Sequence, residues 1–596
     1  MPYLIVLLII LINSISLTVL LKKKIEEMIP ISVVGLILIV YIAGLFDNLI
    51  IGVRIIEIIT ILQLFAILLF ILKQRETEDV KQIILRIITP GLCVYIGLIG
   101  ISVMINKNRI FEDLDEFNHW ALIIKNMFYY NSFGTNAESI VSFNEYPPFT
   151  AIFQYIFLTV QKVYREDTVI IAQNILYFSF VILLTKSITW KENMKKLIVV
   201  IPLIIFLPMI FYSNFFVNIL VDGFLGIVFA YIIFAMFQED EDLKFKWVKI
   251  LIGEIALCLT KTAGIFLAVL SFFIILIRLI LLKKQDKFKF VKELKLLFCV
   301  ILILSVLLLA WYVKVNESEQ RWEFQRLLVF NDLEETNIII NNFIQNIFIG
   351  HEITEKGFTV FSVILIFIAW YFIIKFKIGN NKYKFYTISM LLVTLIYLIS
   401  ILIIYITIFD FDEAMVQASF FRYISTIFLS FVMFQVFILI ENNYNESESI
   451  FVIISLIILF IPLKNIQIQY IDGKNYINRA NTLRNSYTKI KRYKECFEDD
   501  DKILYIAGPK TIIDYMTVMN NYELMPIIIN KMIPGIFKTE EEFTDVVKEY
   551  DYVYVYQIRD EDGDIIKNVF EDKYILKNVL YKVKIEKCKT TLVRVK

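Results

Sequence analysis

The chain has few cysteines, few histidines and little charge. Of its 596 residues, 5 are cysteine, 2 are histidine and 20% are charged. Cys93, Cys258 and Cys299 lie in apolar segments, where a free thiol behaves as a small hydrophobic group. The sequence also contains no glycine-rich phosphate loop and no internal repeat. It therefore gives no sign of a metal site or of a nucleotide-binding loop, and it indicates no certain cofactor.

Hydrophobic residues dominate the remainder of the chain. They make up 58% of it, and the mean hydropathy is +0.68. These values lie outside the usual range of soluble domains and indicate a polytopic protein of the lipid bilayer. The formal net charge is +1, and the basic residues stand in short blocks between apolar runs. This pattern indicates no nucleic-acid partner.

About fourteen apolar runs approach the length of roughly 20 residues that a membrane-spanning helix needs. We therefore predict an all-α polytopic membrane protein with additional helices on the outer side. The predicted spans are 3–21, 29–46, 49–72, 83–105, 168–189, 196–212, 215–237, 247–260, 263–282, 296–315, 359–375, 385–408, 423–440 and 450–464.

Lysine and arginine predict the orientation of these spans. The first run lacks a basic leader and a cleavage site, and Lys22–Lys24 follow it. We therefore expect a retained multi-pass protein of the cell membrane with its N-terminus outside. The same rule places the loops 22–28, 73–82, 186–196, 238–249 and 283–295 in the cytoplasm.

This orientation depends on segment 147–163. It is consistent only if that segment does not cross the membrane, so we predict a re-entrant or surface-lying helix after Pro147-Pro148. The alternative is a true crossing, which would put the lysines of 186–196 outside. In the favoured orientation the regions 106–165, 316–358 and 465–596 face outward.

The C-terminal region differs in composition from the rest of the chain. Short β-rich runs, Ile503–Ile506 and Tyr552–Tyr556, alternate with polar stretches of helical character. We predict a small extracytoplasmic α/β domain over 465–596.

The run Asp115-Glu116-Phe117-Asn118-His119-Trp120 follows an early span. Asp115 and His119, four residues apart, share one side of a predicted amphipathic helix. A carboxylate there is suited to act as a general base on a hydroxyl. Alternatively, Asp115 or Glu116 caps the helix and His119 is an interfacial hydrogen-bonding group. We expect the helix to lie along the membrane surface on its apolar face, formed by Phe117, Trp120, Ala121, Ile124, Met127 and Phe128.

Charged residues also interrupt the later apolar runs. Asp222 lies within one run and Lys261 lies between two others, both at the predicted outer side, where a charge in lipid is costly. They either form a buried ion pair or line a cavity. Arg422, followed by Tyr423, opens a later span and either binds a phosphate at headgroup depth or anchors the span at the interface.

The second outer loop supplies weaker candidates. Arg321 and Arg326 are further phosphate-binding candidates, and His351 is a candidate for lining the same space. The alternative for all three is an ordinary solvated loop residue.

In order along the chain, these features resemble the GT-C superfamily of membrane glycosyltransferases, which includes protein O-mannosyltransferases and lipid A aminoarabinose transferases. The shared series is Asp115-Glu116, Tyr146-Pro147-Pro148, Asp222, Thr260-Lys261 and Arg422-Tyr423. The resemblance covers about 83–464, with 1–82 as additional spans and 465–596 as an added domain. Tyr146 stands where some lipid A transferases have lysine, and the runs around Asp115 and Tyr146 resemble more closely GT-C proteins of low-GC Gram-positive bacteria.

The resemblance implies a bacterial enzyme that moves a sugar from a polyprenyl-phosphate donor to a glycan, lipid or protein acceptor. It implies that Asp115 is the base, that Glu116 and Asp222 line the site, and that Lys261 and Arg422 hold the lipid phosphate. His119, Tyr146 and Tyr423 are further substrate-binding candidates. A divalent cation is compatible with this chemistry. The rival function is a transporter or flippase, which would also retain intramembrane charges but would not need long outer loops.

Overall fold

The computed structural model describes residues 3–73, 78–135, 143, 145–238, 242–317, 332–348, 381–441, 466–498, 500–508, 513–586 and 589–595. Most of these residues are helical, and a five-stranded sheet lies near the C-terminus. The chain forms two compact units. The first contains Met1–Arg109 and Asn126–Asp472, and the second contains Ile110–Lys125 and Gly473–Lys596.

The first unit is a helical bundle. Its helices are α1 (Tyr3–Leu21), α2 (Ile25–Gly44), α3 (Leu49–Lys73), α4 (Glu78–Ile87), α5 (Pro90–Asn106), α7 (Phe149–Gln161), α8 (Glu166–Val181), α9 (Leu197–Phe211), α10 (Asp222–Phe237), α11 (Leu243–Cys258), α12 (Thr262–Gln285), α13 (Lys287–Glu317), α14 (Leu333–Phe348), α15 (Asn381–Thr407), α16 (Phe411–Val416) and α17 (Phe420–Glu441). A further helix, α6 (Ala121–Tyr130), continues from the second unit into the first.

In the part of the chain that the structure describes, nine helical stretches are long and apolar enough to cross a membrane. This confirms a mostly helical fold with apolar helices of membrane-spanning length. The stretches are Tyr3–Leu21, Ile25–Gly44, Leu49–Phe70, Lys81–Asn106, Glu166–Thr185, Met194–Phe211, Thr262–Gln285, Lys287–Asn316 and Lys384–Thr407. The predicted spans 359–375 and 450–464 lie outside the described residues.

The predicted span 215–237 begins as irregular backbone and becomes helical only at Asp222. Side-chain amides replace the missing helical hydrogen bonds. Asn106 and Asn174 both donate to the carbonyl oxygen of Phe216, at 3.0 and 2.8 Å. Non-helical backbone inside an apolar bundle needs such partners, so α10 starts within the bundle and carries a carboxylate on its first turn.

The helix predicted after Pro147-Pro148 is α7, and it is an interior helix. All of its residues from Phe149 to Thr159 are buried. It packs against α1, α2, α3 and α8. With 13 residues it is shorter than a spanning helix, and its burial by protein shows that it does not lie on the surface of the bundle.

The second unit has an α/β core, as the β-rich runs predicted. Its helices are α18 (Gly473–Tyr487), α19 (Ile513–Leu524), α20 (Glu540–Val547) and α21 (Asp560–Ile566), and its strands are β1 (Ile503–Ala507), β2 (Ile529–Pro534), β3 (Tyr552–Val555), β4 (Val579–Glu586) and β5 (Lys589–Arg594). The strand order is β2-β1-β3-β4-β5. Strands β2, β1 and β3 are parallel to one another. Strand β4 pairs antiparallel with β3, and β5 pairs antiparallel with β4.

The sheet is covered on both faces. Leu504 and Val553 face a core that includes Phe543 of α20 and Ile566 of α21. The opposite face of the sheet packs against Met516 of α19. Strands buried on both faces become continuous apolar runs in the sequence, which explains why β1 and β3 were predictable.

Candidate functional site

Asp222 is the centre of a charged cluster in the first unit. Its Oδ1 lies 3.0 Å from Lys261 Nζ, and its Oδ2 lies 3.2 Å from Arg422 Nε. Asp222 and Lys261 are buried, with 3% and 8% of their surfaces exposed. The predicted Asp222–Lys261 ion pair is therefore present, and Arg422 extends it to a cluster of three charges.

The packing of α10 against α17 places Asp222 beside Arg422. The two helices run parallel, and Gly226 lies against Thr426 where they meet: a Cβ on Gly226 would lie 2.5 Å from the Thr426 carbonyl oxygen. Ser430 Oγ donates to the Gly226 carbonyl oxygen at 2.7 Å. Asp222 and Arg422 each precede this contact by four residues, about one helical turn.

Lys261 is held by the tight turn between α11 and α12. A Cβ on Gly264 would lie 2.1 Å from the Leu257 carbonyl oxygen, so only glycine permits this approach. Phe149 N–H donates to the Leu259 carbonyl oxygen at 2.8 Å. That hydrogen bond ties the start of α7, and the Tyr146-Pro147-Pro148 turn before it, to the segment that carries Lys261.

Two tyrosine rings flank the cations. Lys261 Nζ lies 5.7 Å from the ring centres of both Tyr146 and Tyr423, and the Arg422 guanidinium carbon lies 5.4 Å from the Tyr423 ring centre. These distances are within the range of cation–π attraction. Burial raises the pKa of Tyr146, although Lys261 opposes the shift. Tyr146 is therefore uncharged and contributes an aromatic ring beside the cations. This ring is stacked on that of Phe143, with ring centres 5.1 Å apart.

Two tyrosines that the sequence analysis missed fix the start of α17. The Tyr212 hydroxyl donates to the Arg422 carbonyl oxygen at 2.8 Å and lies 3.0 Å from Thr426 Oγ1. The Tyr397 hydroxyl donates to the Tyr423 carbonyl oxygen at 3.2 Å. Their only signal in the sequence is a hydroxyl in an apolar run, which is too common to single them out.

The cluster has the chemistry of an anion site. One aspartate, one lysine and one arginine carry a formal net charge of +1, and the arginine can present a planar fork to phosphate or carboxylate oxygens. Within the described residues, no group of three or more histidine, cysteine, aspartate or glutamate side chains could hold a metal ion.

The segment Asp115–His119 belongs to the second compact unit. A helical turn begins at Leu114 and widens into a π-helix over Glu116–Trp120. Glu116 Oε2 accepts from the backbone N–H groups of Glu112 and Asp113, at 2.8 and 3.0 Å. Glu116 therefore has the reach-back role of a capping-box glutamate.

Asp115 and His119 differ in their exposure. Asp115 makes no side-chain capping hydrogen bond and is half-buried, whereas His119 is buried with its ring 4.5 Å from that of Trp120. The capping interpretation thus applies to Glu116 and not to Asp115.

Protein covers the apolar face of this helix, where the sequence analysis expected the membrane surface. Phe117, Trp120, Ala121, Ile124 and Met127 on its apolar face are buried by protein. Phe117 packs edge-on against Tyr522, with ring centres 5.3 Å apart. An amphipathic helix buries the same apolar face against lipid or against protein, so its periodicity did not distinguish the two.

A second charged cluster lies elsewhere in the first unit. Glu27 Oε1 lies 2.7 Å from Lys186 Nζ and 3.4 Å from Lys249 Nζ. Lys249 Nζ also donates to Gln238 Oε1 at 2.6 Å. This cluster joins α2 to α11 and had no counterpart in the sequence analysis, which placed Lys186 and Lys249 only in the predicted cytoplasmic loops 186–196 and 238–249.

The structure therefore brings together five of the candidate residues, namely Tyr146, Asp222, Lys261, Arg422 and Tyr423. Asp115, Glu116 and His119 lie in the other unit, and Arg321, Arg326 and His351 lie outside the described residues. Comparison with known proteins finds no family model, no curated protein and no solved structure that matches the chain.

Proposed function

We propose that the protein is a bacterial cell-membrane glycosyltransferase that moves a sugar from a polyprenyl-phosphate donor to a cell-envelope glycan, lipid or protein. The observation that carries this proposal is the assembly of Asp222 at the start of α10, Lys261 in the turn between α11 and α12, and Arg422 in the first turn of α17. Their order with Tyr146 and Tyr423 is the order implied by the GT-C resemblance. The proposed GT-C-like fold, multi-pass topology and outer-side location of the C-terminal domain belong to the same proposal.

The donor chemistry explains why cations would be retained in an apolar bundle. A polyprenyl phosphate keeps its chain in the bilayer and its phosphate at the headgroup level, so its ligands must lie near the end of the spans. The Arg422 guanidinium can bind two phosphate oxygens, and the Lys261 ammonium adds a point charge. Asp222 holds both cations in position. In this scheme Lys261 and Arg422 bind the leaving phosphate.

Asp115 is the proposed general base. The acceptor hydroxyl oxygen bonds to the anomeric carbon while the bond from that carbon to the phosphate oxygen breaks. The hydroxyl proton passes to the Asp115 carboxylate, and the phosphate leaves with the bonding electron pair. Direct displacement of this kind inverts the anomeric configuration. The scheme accommodates a divalent cation on the donor phosphate, and transfer activity after EDTA treatment tests that requirement.

Donor binding offers a direct test of the cationic cluster. Purified protein in nanodiscs should bind a polyprenyl phosphate, and Arg422→Lys should weaken binding because ammonium cannot replace the bidentate fork. Arg278→Lys is the matched control, since Arg278 makes a bidentate contact with Glu293, at 2.6 and 2.9 Å, outside the cluster. Equal binding by wild type, Arg422→Lys and Arg422→Ala would reject the phosphate role.

Activity needs a separate test in cells. Mass spectrometry of cell-envelope glycans and lipid-linked sugars, with and without the gene, should show loss of one glycan and accumulation of its lipid-linked donor. Unchanged glycans and lipid-linked sugars would argue against glycosyl transfer.

A transporter or flippase is the second candidate function. The cluster of buried Glu27 and Lys249 with half-buried Lys186 favours it, because charges at more than one place in an apolar bundle suit a polar pathway. A proteoliposome assay separates the two functions. Movement of a labelled lipid-linked sugar across the bilayer, without sugar transfer to any acceptor, would favour the transporter.

A further inference from the structure

We infer that the C-terminal α/β domain is a positioning device for the segment that carries Asp115. This inference depends on the proposed function in one respect, since it takes Asp115 to be the reacting carboxylate. Its structural basis is independent of that assumption. Ile110–Lys125 forms one compact unit with Gly473–Lys596, although nearly the whole membrane bundle separates them in sequence.

Aromatic packing holds the middle of the segment. Phe117 is fully buried, and its ring meets Tyr522 at 5.3 Å and Tyr515 at 6.3 Å, both in edge-on geometry. Both tyrosines belong to α19. Edge-on aromatic pairs at these separations are favourable beyond the area they bury. Phe117 lies two residues after Asp115, so this packing restrains the helical turn that carries the carboxylate.

Arg484 of α18 closes the same aromatic cluster. Its guanidinium carbon lies 5.1 Å from the ring centre of Phe117 and 5.2 Å from that of Tyr522. Its Nε lies 2.7 Å from Glu523 Oε1. The ion pair fixes the guanidinium of Arg484 between the rings, and its positive charge is attracted to the faces of both rings.

Both ends of the segment are also attached to α19. The Tyr515 hydroxyl donates to the Glu112 carbonyl oxygen at 3.0 Å, three residues before Asp115. Lys125 Nζ donates to the Tyr522 carbonyl oxygen and lies 4.2 Å from the Tyr522 ring centre. The segment is therefore held before, at and after the Asp115 turn. Glu116 further stabilises the segment, because its carboxylate accepts hydrogen bonds from the backbone N–H groups of Glu112 and Asp113.

The expected consequence concerns the rate of transfer more than donor binding. A catalytic group displaced by about 1 Å can lose up to about 10²-fold in rate. Tyr522→Leu removes the ring between Phe117, Arg484 and Lys125, so we expect kcat to fall by up to about that factor while the donor KM changes little. Tyr522→Phe keeps the ring and should restore most of the rate.

Double variants test whether the effect acts through Asp115. If Tyr522 only positions that carboxylate, Tyr522→Leu should cause no further loss of kcat in an Asp115→Asn background, because residues acting as one unit are not additive. Full additivity of the two losses would overturn the positioning role.

Hydrogen exchange provides a test that does not depend on activity. In the full-length protein, amides of 110–125 should exchange roughly 2- to 10-fold faster in Tyr522→Leu than in wild type, as expected from losing an aromatic pair. Tyr581→Leu is the matched control, because Tyr581 is equally buried but packs on Phe570 in the sheet core. It should not selectively loosen 110–125.

The two proposals fail in different ways. Unchanged exchange of 110–125 in Tyr522→Leu would overturn the positioning inference whatever the enzyme does. Faster exchange together with normal transfer by Asp115→Asn would keep the domain as the support of this segment and reject Asp115 as the base, which also overturns its catalytic positioning.

Discussion

Gly226 lies directly against the carbonyl oxygen of Thr426. A Cβ added to Gly226 would come within 2.5 Å of that oxygen, a separation that real Cβ atoms do not adopt. The contact sets the spacing and register of two parallel helices, and Asp222 and Arg422 stand about one turn before it on each. The geometry of the charged cluster therefore depends on a residue that carries no charge.

We expect Gly226→Ala to destabilise the protein by about 1–3 kcal/mol, the usual cost of overpacking a close contact. The obstacle is backbone, which cannot rotate away as a side chain can. Gly97→Ala is the control, since nothing lies within 4 Å of a Cβ at Gly97, and there alanine should be neutral or stabilising. Thermal unfolding in detergent measures both changes. Equal effects of the two substitutions would contradict the close approach of α10 and α17.

Removing the shared carboxylate should be costly. Asp222→Asn leaves Lys261 and Arg422 without the charge that joins them, and breaking a buried ion pair from one side costs about 3–5 kcal/mol. The loss should be smaller in a Lys261→Met background, where one of the two cations is already absent. A double-mutant cycle of thermal unfolding measures this coupling. A coupling free energy near zero would mean that the 3.0 Å contact contributes little to stability.

Asp115→Asn should lower sugar transfer by at least about 10²-fold with expression preserved, because an amide cannot take up the proton from the hydroxyl group of the acceptor substrate. Glu116→Gln should be milder, since the amide oxygen can still accept from the backbone of Glu112 and Asp113. Transfer by membranes from variant cells measures both rates. If Glu116→Gln is the inactive variant and Asp115→Asn is normal, the base is one residue further along.

The Arg484–Glu523 pair should make stability depend on pH. Burial opposes ionisation of Glu523, but attraction to Arg484, Lys491 and Lys125 is stronger, so the pKa of this carboxyl is lowered. A lowered folded-state pKa contributes stability above the ordinary glutamate value of about 4.3, and this is lost as the pH falls toward the folded value. Wild type should therefore be more stable than Glu523→Gln at pH 7, and the difference should shrink below about pH 4. Melting curves across this range measure it, and a constant difference would contradict the linkage.

Topology can be tested with an impermeant thiol reagent on intact cells, in a background without the five natural cysteines. Cysteine introduced at Lys289 should resist labelling, because the basic loops favour the cytoplasm. Cysteine at Lys538 should react, because the same orientation places 465–596 outside. Both side chains are exposed in the structure. Labelling of cysteine at Lys191 from outside would show that 147–163 crosses the membrane.

Much of the fold follows from local sequence patterns. Apolar runs of sufficient length predicted the helices of the bundle, because a chain in lipid must satisfy its backbone hydrogen bonds within each segment. Strands β1 and β3 were found because both faces of each are buried. Strands β2, β4 and β5 were missed, since each carries exposed residues and lacks a continuous apolar run.

The sequence analysis also named the three residues of the charged cluster and the two tyrosines that flank it. A charge in an apolar run is costly enough to require a partner, so Asp222, Lys261 and Arg422 stood out individually. Tyr146 and Tyr423 were named through their place in the GT-C-like series. The sequence did not predict that one carboxylate would join both cations, nor that Tyr212 and Tyr397 would hold the helix start.

By itself, the sequence determined a helical protein with membrane-length apolar segments, a C-terminal α/β region and a short set of candidate charges. Only the tertiary structure decided what covers the Asp115 helix and how closely Gly226 approaches Thr426. Local periodicity specifies that an apolar face must be buried, but it does not specify the partner. That choice depends on contacts between segments hundreds of residues apart, which leave no periodic signal in the chain.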